Sequence, residues 1–534
     1  MSTALSGTSM IGFGRGRQGG ARFRATDPST GEPVGPDYQS AGLEDLERAA
    51  GLARAAATGL ASLPGARKAA FLDQIAVNIE ALGPTLWDCV MRETGLPASR
   101  VQGETARTCI QLRLFASIAA EGSWVDARID ATEPGRKPDI RSMLRPLGPA
   151  AVFGAGNFPL AFSVAGGDTA SAFAAGCPVI VKAHPAHPGT SELVGDAIVA
   201  AVKACGLPEG TFSLIYDSGI EIAIALVKRP EIKAVGFTGS RRGGQALIDA
   251  AASRPDRIPV YAEMSSVNPF FFMPGAFGDG WEQRVDGLVA SLTGSAGQFC
   301  TKPGLIFLRE SSDAEAFVAR LHKQLAGQSS FTMLTGQIRH AFEARVADCR
   351  AQAGVATLLR AEGGADAAAV TGAALFRTRA REYLSNPRLH EELFGPAAVV
   401  ITYQGRDELL EIARSLEGQL TATIHGTEEE FAEHAELIAA LETKAGRLVC
   451  NGFPTGVEVC HAMVHGGPWP ATSDSRSTSV GGRALERFAR LVCYQSFPQS
   501  RLPDELKDTN PLGIWRMVNG LLSRDPFTVT QAFR

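Results

Sequence analysis

A thiol that could act as a nucleophile stands in Gly294-Ser-Ala-Gly-Gln-Phe-Cys300-Thr-Lys-Pro-Gly304, between the apolar helical run Val285 to Leu292 and the strand-like run Leu305 to Leu308. Small and turn-forming residues keep such a sulfur on a loop that a substrate can reach, and a thiolate adds readily to a carbonyl carbon. The chain has nine cysteines. Most cysteines are small buried hydrophobes, so Cys300 becomes a candidate only through the groups that other elements bring to it.

Those elements are legible between Pro149 and Glu263. Strand-like apolar runs occur at Ala150–Phe153, Pro178–Val181, Thr211–Tyr216, Lys233–Phe237 and Pro259–Ala262, with a helix-length segment in each gap. This alternation predicts a parallel, doubly wound sheet, whose ligands bind at the carboxyl ends of its strands. The first run is followed by Gly154-Ala-Gly-Asn157-Phe158-Pro159, the second by Lys182, the fourth by Thr238-Gly239-Ser240 and the fifth by Glu263. An amide, an ammonium, a Gly-Ser turn and a carboxylate are thus expected on one rim. The helix after Ser240 should present free N–H groups suited to a pyrophosphate.

Past Asn268-Pro269 a second α/β set is expected, holding the Cys300 loop, a helix near Asp313–Leu325, Glu392-Leu-Phe394-Gly-Pro396, and strands at Ala397–Tyr403, Leu420–His425 and Arg447–Asn451. Cys300 would then face the first rim across a cleft. Four helical segments precede the first sheet, near Leu43–Leu63, Ala66–Leu82, Thr85–Glu93 and Ser99–Glu121. Trp124–Ile129 and Asp139–Leu144 read as a two-stranded arm, which needs a partner surface to be stable and suggests a subunit contact. Met1–Gly20 reads as a loose arm, Ala361–Ala369 as a surface loop, and the tail contains an amphipathic run, Pro511–Leu522, that could dock on another subunit.

Composition narrows the class. The 534 residues are 45% hydrophobic and 20% charged with a net charge of -4. This is ordinary for a globular enzyme and gives no reason to expect nucleic acid or a membrane as partner. No stretch approaches the roughly 20 apolar residues needed to span a bilayer. An odd number of scattered cysteines does not resemble a disulfide framework and fits a reducing cytoplasm. Cys460, His461 and His465 lie close in sequence without zinc spacing, so no metal is assigned.

Taken together, Asn157, Lys182 in Val-Lys-Ala-His-Pro, Phe237-Thr-Gly-Ser240, Glu263, Gly297-Gln-Phe-Cys300 and Glu392-Leu-Phe-Gly-Pro396, in this order, resemble the aldehyde dehydrogenase superfamily over about residues 23 to 500. Gly154–Asp168, Lys182–Thr190 and Asn451–Glu458 are similar to its α-ketoglutarate semialdehyde (2,5-dioxovalerate) dehydrogenase branch, which also holds NADP-preferring fatty-aldehyde dehydrogenases. The resemblance implies an α/β fold: a Rossmann-type cofactor domain (23–123 and 148–268), a second α/β catalytic domain (269–470), and a small β oligomerisation arm with a C-terminal tail (124–147 and 471–534), after a flexible N-terminal arm (1–22). A cytoplasmic homodimer or homotetramer is implied.

The same resemblance implies roles. Cys300 is the nucleophile, Asn157 with the Cys300 N–H the oxyanion donor pair, and Glu263 the base that activates water to hydrolyse a thioester. Lys182 and Glu392 hold the two riboses of NAD or NADP, Gly239 and Ser240 meet the pyrophosphate, and Phe394 packs near the nicotinamide ribose. Three positions after Lys182, where an acid would repel a 2′-phosphate, stands Pro185, while Asp217 follows the third strand. Dual cofactor use, or NAD with modest preference, is therefore expected. The substrate is a small aldehyde, with α-ketoglutarate semialdehyde favoured over an aliphatic or fatty aldehyde. Phe158 and Arg107 are its expected contacts, with Arg113 as the second candidate for its carboxylate. A cofactor-free cysteine esterase or acyltransferase, or a non-catalytic binding protein, would leave the cofactor contacts or the Cys300, Asn157 and Glu263 set without purpose.

Overall fold

The computed structural model of the chain describes residues 5–132, 137–361, 363 and 368–527. The first sheet has the order Val260–Glu263, Ala234–Thr238, Ala150–Phe153, Val179–Lys182, Phe212–Ile215, Met10–Ile11, Gly14–Arg15. Its first five strands are parallel, as their alternation with helices requires. They are buried on both faces. Ala150, Val152, Val179, Val181, Phe212 and Leu214 enter one core, and Ala151, Phe153, Ile180, Ile215 and Val235 the core on the opposite face. Alternation of side chains across a strand covered on both sides explains why these segments read as unbroken apolar runs.

The second sheet follows the same logic. Its order is Ala356–Arg360, Ala374–Arg379, Ala397–Tyr403, Leu305–Arg309, Phe270–Phe272, Gln419–His425, Ala445–Cys450, parallel except for Ala356–Arg360 at the edge. Phe271, Phe307 and Val399 fill one face, and Phe270, Phe272, Ile306 and Val400 the other.

Two expectations are corrected and one helix break is found where it was expected. The N-terminal arm is not loose over its described part: Met10 and Ile11 are buried and pair antiparallel with Leu214 and Ser213. The Ser6 and Gly7 N–H groups donate to the buried Glu192 carboxylate at 2.8 and 3.1 Å. The break expected at Gly83-Pro84 is present: Gly83 takes φ 48° and ψ -129°, non-helical values that separate two helices within Gly65–Thr94. The run Pro511–Leu522 ends in two short strands, Arg516–Val518 and Leu521–Ser523, joined by a turn with Asn519 and Gly520 both at positive φ. These strands and Ala489–Gln495 flank the hairpin Arg128–Asp130 and Ile140–Pro146 in a five-stranded sheet, so the arm finds its partner strands within its own chain. Part of the expected loop 361–369 lies outside the described residues.

Candidate active site

Cys300 is held on its loop by an unusual backbone. Ser295, Ala296 and Gly297 take φ values of 50°, 58° and 67°, in the left-handed region that non-glycine residues rarely adopt. Asn268, itself at φ 46°, donates through Nδ2 to the Cys300 carbonyl at 2.8 Å and to the Lys302 carbonyl at 3.0 Å. The result is a half-buried cysteine whose carbonyl is pinned and whose sulfur faces the end of the strand Val260–Glu263.

Glu263 and a residue that sequence reasoning missed complete this cluster. His465 Nε2 lies 2.9 Å from Glu263 Oε1 and 3.5 Å from Cys300 Sγ, and both partners of the His–Glu contact are buried. Ser479 donates from its hydroxyl to Glu263 Oε2 at 2.9 Å. Burial works to raise the Glu263 pKa, but the nearby His465 and hydrogen bonds from His465, Ser479 and Cys300 outweigh it, and the net shift is downward. The carboxylate is thus charged at neutral pH and can only accept, so Nε2 of His465 carries the proton. Burial raises the Cys300 thiol well above its ordinary value, the Glu263 charge adds to this, and Arg107 opposes it.

The chain delivers His465 and Ser479 by returning alongside the edge strand of the first sheet. Met264 N donates to Ala471 O at 2.8 Å, Ser473 N to Ala262 O at 3.0 Å, and Glu263 forms a β-bridge with Thr472. The segment expected to begin the tail at 471 therefore starts as a strap over the strand that carries Glu263. Cys460 and His461 are exposed and do not share the buried His465 position.

With the sulfur in a protonated resting state, alkylation of Cys300 in the free enzyme should keep rising with pH past about 9. Glu263→Gln removes the charge that helps raise the thiol, so the midpoint should move to lower pH. Iodoacetamide labelling of Cys300 followed by peptide mass analysis across pH checks this, and a plateau below neutral pH would contradict it.

The other sequence-expected residues are placed as follows. Asn157 sits near the thiol loop, donating through Nδ2 to Gln298 O at 2.7 Å. Phe158 packs against Phe162 and Phe299, with ring centroids 5.2 and 5.5 Å away. The Arg107 guanidinium lies 5.0 Å from the Phe162 ring centroid and donates to Val457 O at 3.2 Å. Arg113 does not join them: it is half-exposed and paired with Glu80 at 2.6 Å. Arg100, which sequence reasoning also missed, sits 4.7 Å from the Phe158 centroid and 5.6 Å from that of Phe299. Its Nη1 donates to Glu104 at 2.6 Å, while its Nη2 is buried without a hydrogen-bond partner. Arg447 carries a buried Nε in the same condition, and Cys300 contributes to the electrostatic surroundings of both Arg447 and Arg107.

A dinucleotide fits the opposite rim. Lys182 closes its strand, and burial lowers its pKa to about 8 against the pull of Asp217. Gly239 N donates to Glu263 O at 3.0 Å, tying the Gly-Ser turn to the strand of the base. Ser240 caps the helix Arg241–Ala252, its hydroxyl accepting from Gly243 N at 3.2 Å, so one of the N–H groups expected to be free is engaged. Glycines at 239, 243 and 244 keep Cβ atoms out of this turn, each otherwise meeting Phe237 or Met264 closely. Glu392 and Phe394, both half-buried, lie on the segment that Lys302 anchors by donating to Leu393 O and Ala397 O at 2.9 and 2.7 Å. Burial raises the Glu392 pKa and lowers that of Lys302, and their opposite charges counter both shifts. An unpartnered carboxylate oxygen on Asp217 marks a place on this rim where a polar group of a ligand is wanted.

A doubly wound parallel sheet, with a loop thiol in contact with the carboxylate that ends its edge strand, is the arrangement of a nucleotide-dependent oxidoreductase. The aldehyde dehydrogenase family model matches residues 15–469, and this chain belongs to that family. It is an NAD(P)-dependent enzyme acting on small aldehydes. It is 48% identical over 525 residues to alpha-ketoglutaric semialdehyde dehydrogenase 2 of Azospirillum brasilense, covering 97% of this chain and 99% of that one. It is 45% identical over 507 residues to alpha-ketoglutaric semialdehyde dehydrogenase of Acinetobacter baylyi, covering 92% and 94%. In fold it matches betaine aldehyde dehydrogenase of Staphylococcus aureus in complex with NAD+, with TM-score 0.79 and 19% identity over 92% of this chain and 97% of that one. Among the described residues no helix is long and apolar enough to cross a membrane.

Proposed function

We propose that this enzyme oxidises α-ketoglutarate semialdehyde to α-ketoglutarate through a thiohemiacetal and a thioester on Cys300. The observation that carries the chemistry is the contact of Cys300, His465 and Glu263, whose sulfur, ring nitrogen and carboxylate oxygen lie within 4.8 Å of one another. As Cys300 Sγ adds to the aldehyde carbon, its proton passes to Glu263, the acceptor already in hydrogen-bond contact with it. His465 Nε2–H donates toward both groups and so offsets negative charge on whichever bears it. Asn157 Nδ2 leaves Gln298 O to donate, with the Cys300 N–H, to the oxyanion. Bound NAD(P)+ would supply the acceptor for the hydride that the tetrahedral carbon releases. Glu263, once deprotonated, takes a proton from the water that attacks the thioester, and the acid leaves as Cys300 recovers its thiol. Lys182 and Glu392 would hold the riboses, Gly239 and Ser240 the pyrophosphate, and Phe394 the nicotinamide end.

For the substrate, the names of the close relatives and the cations at the cleft support the same reading. Arg107 and Arg100 lie beside an aromatic wall of Phe158, Phe162 and Phe299, and a carboxylate would supply the partner that Arg100 Nη2 lacks. Arg107→Ala should raise KM for the semialdehyde acid about tenfold or more, the value of one lost charge-assisted hydrogen bond, with little change for long-chain aldehydes. Equal losses for both substrates would reject the assignment. The aromatic wall is also suited to an aliphatic chain, the alternative reading. Steady-state comparison of α-ketoglutarate semialdehyde with aliphatic aldehydes under both cofactors separates the two.

A cytoplasmic homodimer or homotetramer completes the proposal. Leu491, Leu521 and Leu522 are 64%, 74% and 64% exposed on the outer strands of the five-stranded sheet, which suits a subunit contact, and all nine cysteines are free. Light scattering of the purified protein reads the subunit number.

A further inference from the structure

Among the described residues, one set of three metal-ligating side chains has its ligand atoms within 4.8 Å of one another: Cys300, His465 and Glu263. They come from three separate elements, so no local spacing in the sequence announces them. Cys460 and His461, the neighbours of His465 in sequence, are exposed, whereas His465 is buried beside a sulfur 165 residues away. Each of the three is held from behind. The Cys300 carbonyl is fixed by Asn268 Nδ2 at 2.8 Å. His465 N donates to Thr478 Oγ1 at 2.9 Å, and His465 O accepts from Ser479 N at 2.8 Å. The Ser479 hydroxyl donates to Glu263 Oε2, which leaves Oε1 to the imidazole. Such a hydrogen bond to a carboxylate is the usual support behind a metal ligand.

The spacing and the charge fit zinc. With Zn–S about 2.3 Å and Zn–N about 2.0–2.1 Å, a sulfur and a nitrogen on one tetrahedral ion stand about 3.5–3.6 Å apart. Cys300 Sγ and His465 Nε2 are 3.5 Å apart. His465 Nε2 and Glu263 Oε1, now hydrogen-bonded at 2.9 Å, need open only to about 3.3 Å. A dication held by one thiolate, one carboxylate and one neutral imidazole leaves no net charge in the buried site, which avoids the cost of an unpaired buried ion. A mixed sulfur, nitrogen and oxygen set suits Zn2+ and not Mg2+ or Ca2+, which favour oxygen alone.

We propose that Cys300, His465 and Glu263 form a reversible zinc site that silences the enzyme while it is occupied. On binding, the Cys300 S–H bond breaks and its proton leaves to solvent. The imidazole moves its proton from Nε2 to Nδ1, bonds form from Sγ, Nε2 and Oε1 to the ion, and no electron is transferred. Three protein ligands leave the fourth position to water. The sulfur lone pair that would attack an aldehyde and the carboxylate that would take its proton are then both engaged. The same coordination shields the thiol from alkylation and oxidation, which need it free.

Co2+ serves as the visible probe and Zn2+ as its competitor, on the full chain without aldehyde or cofactor, so the result is independent of which aldehyde is the substrate. Co2+ should produce a thiolate-to-metal charge-transfer band with the visible absorption of a tetrahedral ion, and Zn2+ should abolish both. The band should survive the combined changes Cys450→Ser, Cys460→Ser and Cys493→Ser, which remove the exposed thiols, and vanish in Cys300→Ser. His465→Asn and Ser479→Ala should each raise the dissociation constant about tenfold or more. Zn2+ at about ten times its dissociation constant should slow iodoacetamide labelling of Cys300 about tenfold, and EDTA should restore the rate. Equal labelling of Cys300 in the unaltered enzyme with and without saturating Zn2+ would overturn the proposal, whether or not any variant folds. A cobalt band that disappears with the three exposed thiols would also do so, since it would mark an adventitious ion only.

Discussion

Glu263→Gln should release one equivalent of reduced cofactor per Cys300 and then stall, with steady-state turnover lowered by about 10²- to 10⁴-fold, the usual contribution of a positioned general base. The carboxamide retains the shape of the side chain and can still accept from the Ser479 hydroxyl, now 2.9 Å from Oε2. Attack by sulfur is affected less than attack by water. Removing the carboxylate also removes one of the causes that raise the thiol pKa, so a larger share of Cys300 is ionised at a given pH. Water has no such compensation, since its proton needs an acceptor as it adds to the thioester. Rapid-mixing absorbance at the nicotinamide band, with the intact mass of the acylated chain, reads both halves. Normal steady-state turnover would remove Glu263 from the hydrolytic step. His465→Asn separates the neighbour's contribution: loss of the Nε2–H should slow both burst and steady state, because that group faces the sulfur and the carboxylate alike.

The parts of this site legible in sequence were those at the ends of strands. A four- or five-residue apolar run identifies a strand covered on both faces, and the first few residues after it then stand on the rim; Asn157, Lys182, Gly239 and Glu263 were read as rim residues this way. His465 was not, because it lies on an irregular strap, and its meaning depends on the chain crossing back to Val260–Glu263 some two hundred residues later. No local pattern encodes that return. The short strand Met10–Ile11 was missed for a related reason: two residues give no periodicity, and its place is set by the edge of Phe212–Ile215. Arg100 was within reach. At about 100° per residue, seven positions return a helix to nearly the same face, so Arg100 shares a face with Arg107, while Arg113 falls about 120° away. The structure accordingly pairs Arg113 with Glu80 and leaves the other two beside the phenylalanines.

Gly297→Ala is expected to be among the most damaging single-methyl changes in the chain, costing about 2–4 kcal/mol from the left-handed backbone and the overpacking together. Gly297 takes φ 67°, and a Cβ there would lie 2.3 Å from the Gly395 carbonyl carbon and oxygen and 2.6 Å from Pro396 N. These are backbone atoms and cannot rotate away. Relief requires the Cys300 loop and the Glu392–Pro396 segment to part, although Lys302 holds them together through Leu393 O and Ala397 O. The expected result is therefore a lower melting temperature together with loss of both acylation and cofactor affinity, since one movement displaces the thiol and Glu392. Gly336→Ala is the matched control, because it opens the helix Gly336–Ala351 with nothing within 4 Å of the added methyl. If Gly297→Ala melted and turned over like Gly336→Ala, the two segments would not be fastened at this point. A fall in turnover with unchanged melting and cofactor affinity would instead confine the role of Gly297 to aiming the sulfur.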